Sequence, residues 1–174
     1  MRLFAGIAAA AIAIAACGGP AAAPSPSPSP SPTPSPSPSP SPTPANVFKA
    51  ELKSSNEVPP ITGAEASCTG NATVTFTATT AKFDVVISGC PSSTVINIGH
   101  IHEGAAGVVG GVKLSTGLTA GELTMTGGGV TFSKTATADA ALISAIIANP
   151  AGYYVNFHSA VNGGGVIRGQ LTKA

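Results

Sequence analysis

All three histidines of this 174-residue chain fall in two short segments, His100-Ile101-His102 and Asn156-Phe157-His158. Successive side chains of a β-strand point to opposite faces, so residues i and i+2 project together. With His158 arriving from another strand, His100 and His102 would complete a set of three imidazoles. Such a set suits one copper or zinc ion and leaves a coordination position for water or substrate. The same three rings can also be satisfied by hydrogen bonds at a sheet edge, and the leading expectation is accordingly a non-enzymatic binding or structural module, with a mononuclear metal protein, copper before zinc, in a redox role as the alternative.

The elements that must position these residues read as strands. Tyr153 to His158, an Asn- and Gly-rich loop, and Val166 to Leu171 form a hairpin centred near Asn162. In that hairpin Tyr154, Asn156 and His158 share a polar face with Arg168 and Gln170, while Tyr153, Val155, Phe157, Ile167 and Leu171 turn to the core. His100 and His102 share parity with Ile96 and Ile98, so their imidazoles either leave the core at the strand end or belong to it.

Ala72, Val74, Phe76 and Ala78 alternate with polar residues, as do Phe83, Val85 and Ile87, which predicts two half-buried strands. A hairpin folded about Thr79 sets Cys68 opposite Cys90, close enough to bridge. Leu123 and Met125 face Val130 and Phe132 across a three-residue loop at Gly127-Gly128-Gly129. Thr137 to Ala148 holds Leu142, Ile143, Ile146 and Ile147 at helical spacing and stops at Asn149-Pro150, with a cap near Thr137 or Asp139. The expected class is mainly β, an antiparallel β-sandwich or Greek-key barrel with one short helix.

Ahead of this domain, Arg2 and the apolar run Leu3 to Ala16 read as an export signal over residues 1–16. Ile14-Ala15-Ala16-Cys17 resembles a bacterial lipobox, which makes Cys17 the expected lipidation site and the membrane a partner through that lipid. From Pro24 to Pro44 the chain alternates Ser or Thr with Pro, a composition that cannot donate a continuous backbone ladder or bury a core. Residues 17–45 are therefore expected to be an anchor and a disordered tether, able in polyproline II geometry to hold the domain about 60 Å from the membrane. Residues 46–174 are the size of one domain. The reading places that domain in the cell envelope, outside the cytoplasm, where a disulfide persists.

Eight Lys and Arg against seven Asp and Glu leave the charge sparse and nearly balanced, and there is no Trp. No basic patch interleaved with aromatics is present, which excludes nucleic acid as the expected partner and leaves an extracytoplasmic protein or glycan. No nucleophile elbow, phosphate loop or paired-thiol motif occurs. Ser159 follows His158 directly, so the two point to opposite faces of a strand and cannot act together as nucleophile and base.

Taken in order, Leu52, Asn56-Glu57-Val58-Pro59-Pro60, His100-Ile101-His102-Glu103-Gly104, Tyr154-Val155-Asn156-Phe157-His158-Ser159 and Gly164-Gly165-Val166-Ile167-Arg168-Gly169-Gln170-Leu171 resemble the CHRD domain. This module is named after chordin and is found in many bacterial secreted proteins. The resemblance runs from about Phe48 to the C-terminus and implies a compact β domain. Val166 stands where the family's usual ending has Glu. By motif, Glu57 and Glu103 are the acidic residues near the histidines, and each is expected to be a solvated surface carboxylate or, alternatively, to orient an imidazole from behind. A more distant likeness is to the copper half of copper/zinc superoxide dismutases. It implies that His100, His102 and His158 match copper ligands and that Arg168 resembles the anion-guiding arginine. The bridging histidine and the zinc ligands of those enzymes have no counterpart here, since the chain has no fourth histidine.

Overall fold

In the computed structural model, which describes residues 46–174, the period-two segments become nine antiparallel strands. They are β1 (Asn46–Lys53), β2 (Thr69–Phe76), β3 (Thr80–Ser88), β4 (Ile96–Glu103), β5 (Val112–Ser115), β6 (Val130–Thr137), β7 (Tyr153–Ser159), β8 (Ile167–Gln170) and β9 (Thr172–Lys173). The expected signal segment, Cys17 and the Ser-Pro tether lie outside the described residues. One sheet runs in the order β5-β4-β7-β8-β1-β2-β3-β6, with β9 continuing β8 alongside β1. Phe132 of β6, the last strand in that order, meets Phe157 of β7 edge-on with ring centroids 5.7 Å apart. The sheet therefore curls onto itself into a nearly closed barrel.

Its interior is filled from alternate positions. Phe48, Ala50 and Leu52 of β1, Ala72, Val74 and Phe76 of β2, and Ala81, Phe83, Val85 and Ile87 of β3 are all buried. Each large side chain in that row contributes about 1.5 to 3 kcal/mol of apolar burial. The helix α1 (Ala140–Ala148) starts at Asp139, whose carboxyl accepts from the backbone N–H groups of Ala141 and Leu142, and it buries Ile143 and Ile146. Of the two caps the sequence offered, Asp139 serves because it sits one residue before the first helical turn. Among the described residues, a continuous core and the Cys68–Cys90 disulfide are built within residues 46–174, so this segment carries a core and a crosslink of its own.

Three expectations are corrected. The β2–β3 hairpin pairs Phe76 with Ala81 and Thr69 with Ser88. It thus turns between Ala78 and Thr79 rather than on Thr79, and Ala78 lies exposed in the turn. Cys68 and Cys90 are nevertheless bonded, with Cα atoms 4.3 Å apart. Gly89, in the left-handed region at φ 71°, supplies the extra residue that brings Cys90 back towards Cys68. Across the glycine run, pairing stops at the single bridge Thr126–Gly129, so the loop is the two residues Gly127-Gly128, both at positive φ. Leu123 and Met125 form no strand there. They pack on the core from an irregular segment, because β6 spends its ladder on β3.

The parity question at β4 is settled by a bulge. Ile96 pairs with Ser159 and Ile98 with His158, so two steps on β4 match one step on β7 and Asn97 is the extra residue. A bulge of this kind shifts every later side chain to the opposite face. Ile96 is buried, and beyond the bulge Gly99 and Ile101 take over the core positions. Ile98, His100 and His102 move to the outer face.

Candidate functional site

On that face the sheet register sets out a small grid. Asn156 of β7 lies opposite His100 on β4 and opposite Arg168 on β8, while Tyr154 lies opposite His102 and Gln170. The polar set expected of the β7–β8 hairpin is thus present, in register about residue 162. The face is nonetheless covered rather than open: Tyr154, Asn156, His158 and Arg168 are all buried. Loops 104–111 and 160–165 lie over it and are tied to its side chains.

His102 donates from Nδ1 to the carbonyl of Gly110 at 2.9 Å, and the hydroxyl of Tyr154 accepts from the Gly110 N–H at 3.1 Å. Gln170 donates to the carbonyl of Gly104 at 2.7 Å. Only glycine fits at position 110, since a Cβ there would collide with the carbonyl of Glu103. From the other loop, the carbonyl of Gly163 accepts from His158 Nδ1 at 3.0 Å. A carbonyl oxygen can only accept, so both Nδ1 atoms bear the ring proton and both Nε2 atoms carry a lone pair. His100 Nδ1 then donates to His158 Nε2 at 3.1 Å. One candidate ligand nitrogen from each of His100, His102 and His158 lies within 4.8 Å of the other two. The Nε2 atom of His102 is buried without a hydrogen-bond partner. The His102 ring stacks on Tyr154 at 5.0 Å, with an interplanar angle of 10°.

Burial favours the neutral form of two of these rings, His100 and His158. Burial lowers the pKa of His100 below the usual histidine value, and the neighbouring charges that His158 and His102 would acquire lower it further. Burial also lowers that of His158, against the raising effect of its bond to Gly163. A metal ion requires neutral imidazoles, and the Nε2 atoms of His102 and His158 carry lone pairs because the ring protons sit on Nδ1.

The remaining residues singled out from the sequence divide. Glu57 is buried, and desolvation pushes its carboxyl up to about 7 although Arg168 works to lower it. Arg168 Nε stands 4.0 Å from Glu57 Oε2. The guanidinium donates to the carbonyls of Asn56 and, at 3.0 Å, Val108, and lies 4.8 Å from the centre of the Tyr154 ring. It is only 4 % exposed and lines a cleft together with Asn56, Glu57 and Val58. Asn156 Oδ1, Glu57 Oε1 and Arg168 Nη2 are buried without partners. Asn156 and Glu57 converge at Gly165, where a Cβ would come within 2.6 Å of the Asn156 amide nitrogen and 2.8 Å of both Glu57 oxygens. Glu103 is exposed and pairs with Lys113 at 2.7 Å. It bonds to no imidazole, because position 103 follows His102 and points the opposite way.

Sequence reading missed the groups that orient the rings. Gly110 and Gly163 act through main-chain carbonyls, which carry no residue-type signal. Glu65 is buried and accepts from both Ser159 and Asn162 at 2.6 Å. Its only sequence signal was an acidic residue in an otherwise weakly polar turn.

Comparison with known proteins agrees with the motif order. No curated protein and no solved structure gives a significant match. The family model described as CHRD domain matches residues 48–171. That span runs from within β1 through β8 to Leu171, including the three histidines and Arg168, and the chain accordingly belongs to the CHRD domain family.

Proposed function

We propose that this domain binds a single first-row transition-metal ion, copper or zinc, through Nδ1 of His100 and Nε2 of His102 and His158. The observation that carries the reading is the unpartnered, buried Nε2 of His102, in a cluster where backbone carbonyls already hold two rings with their lone pairs available. Leaving a buried acceptor unsatisfied costs about 1 to 3 kcal/mol, and a metal bond removes that cost. At metal–nitrogen distances of about 2.0 Å, three ligand atoms stand about 3.4 Å apart. A small inward movement from the present spacing of up to 4.8 Å reaches that arrangement. To bind through Nδ1, the neutral His100 ring would take its other tautomer, with the proton on Nε2, giving up its bond to His158, and a fourth position would remain for water or a small ligand.

Calorimetric titration of residues 46–174 with Cu(II) and Zn(II), beside His100→Ala, His102→Ala and His158→Ala, tests this. Saturable one-to-one binding lost in all three variants supports the site. Identical heats for wild type and variants would leave the second reading, a non-enzymatic module that docks an extracytoplasmic protein or glycan. That alternative is favoured by the exposed valines Val58, Val108, Val109 and Val161 on the loops around the polar face.

In either case the proposal includes presentation from the envelope on a lipid at Cys17, with the Ser-Pro segment as spacer. One acyl chain holds only marginally and several hold firmly. Cys17→Ser should therefore release the chain from the detergent-soluble membrane fraction without unfolding the domain, and persistence in that fraction would refute the anchor.

A further inference from the structure

The loop that orients His158 has almost nothing of its own to hold it. Its start is tied by the Ala160 N–H to the carbonyl of Val95, and Val166 N–H returns to Phe157 at its end. Between them run Val161, Asn162 and three glycines. Val161 is 79 % exposed, and Gly163 and Gly164 have open space around them. Such a segment loses much conformational entropy on ordering and needs fixed contacts to stay in one shape.

Those contacts come from Asn162 and converge on a single oxygen. The Asn162 N–H donates to Ser159 Oγ at 2.8 Å, and its side-chain amide donates to Glu65 Oε2 at 2.6 Å. Ser159 Oγ donates to the same Glu65 oxygen, also at 2.6 Å. The Asn162 carbonyl in turn accepts from Ser159 and Gly165. Glu65 is only 4 % exposed and sits on a short 3-10 turn, Ala64–Ser67. That turn is fastened on both sides. Its Glu65 carbonyl accepts from Ser54 Oγ at 2.9 Å and from the Cys68 N–H, and Cys68 is bonded to Cys90.

We infer that Glu65 is a positioning residue for His158: through Asn162 it fixes the Gly163 carbonyl, and that carbonyl fixes the ring's tautomer and direction. The consequence for metal affinity rests on the reading of the histidine cluster given above; the consequence for the ring itself does not. Groups that orient a ligand from behind typically govern about 10- to 100-fold in affinity. Acting one residue further removed, Glu65 should lie near the lower figure.

The test is nitrogen NMR of histidine-labelled residues 46–174 at pH 7.5, with Zn(II) titration alongside. Wild type should show His158 as a single tautomer protonated at Nδ1. Glu65→Ala should give a mixture at His158 while His102, held by Gly110 from the other loop, keeps its signature. Zn(II) affinity should fall about tenfold in that variant, and Glu65→Gln, which retains one acceptor, should recover part of both effects. Asn162→Ala breaks the same link while leaving the Glu65 turn in place, so it gives the answer even if Glu65→Ala fails to fold. An unchanged His158 signature in folded Glu65→Ala or in Asn162→Ala overturns the inference. If wild type takes up no Zn(II) yet the tautomer responds as described, the metal reading falls and the positioning role stands.

Discussion

Glu57→Gln isolates the buried charge beside the site. Desolvation raises the Glu57 pKa from the ordinary 4.5 to about 7, even with Arg168 pulling it down. Between those two pH values the folded chain holds a proton that the unfolded chain has lost. The stabilising contribution of the protonated carboxyl is therefore complete below pH 4.5. It is lost progressively as pH rises and is gone above about 7. Over that interval the loss amounts to about 3 kcal/mol at most. His100 and His158, whose pKa values are lowered by folding, act with the opposite sign: their contribution is present above the ordinary 6.5 and is lost as pH falls below it. Both proteins share the histidine effect, so it cancels in the difference between them. Glu57→Gln keeps the shape of the side chain and cannot ionise. Urea unfolding of residues 46–174 at pH 5 should give wild type and variant similar stabilities. At pH 8.5 the variant should be the more stable by about 2 to 3 kcal/mol. A difference that stays flat with pH, or a variant less stable at pH 8.5, would show that Glu57 and Arg168 form a net-stabilising ion pair and would refute the reasoning.

Gly99→Ala should destabilise the domain by about 2 kcal/mol through overpacking, since a methyl group there would meet the Phe157 ring; an unchanged urea midpoint would contradict the close packing of β4 on β7. With its cysteines at a sequence separation of 22, the disulfide should contribute about 3 kcal/mol in the loop-entropy model. A free-thiol assay on unfolded, unreduced residues 46–174 should detect no thiol, and reduction should lower the urea midpoint. Zn(II) affinity should be nearly flat from pH 8 to 7 and fall only below the ordinary histidine value, because burial holds His100 and His158 neutral. A steep loss beginning above pH 7, followed by calorimetry, would count against those two rings as ligands.

The sequence by itself determined what depends on local period and on chain-adjacent chemistry. The alternation in β2 and β3 marked their buried faces, the β7–β8 register about Asn162 followed from a symmetric hairpin, and the capping preference of helix starts narrowed the helix cap to Thr137 or Asp139. The motif order pointed to the CHRD family because its residues recur in a fixed sequence, whatever holds them in space. Tertiary structure decided the rest. The side to which His100 and His102 point was undecidable from parity, since it depends on the one-residue bulge at Asn97, and a bulge exists only where a second strand is present to be mismatched. Glu57 and Glu103 look alike in the sequence, yet one is buried beside Arg168 and the other pairs with Lys113 in solvent. The tautomers of His102 and His158 are set by the carbonyls of Gly110 and Gly163, groups every residue possesses, so only the folding of two loops over the sheet could select them.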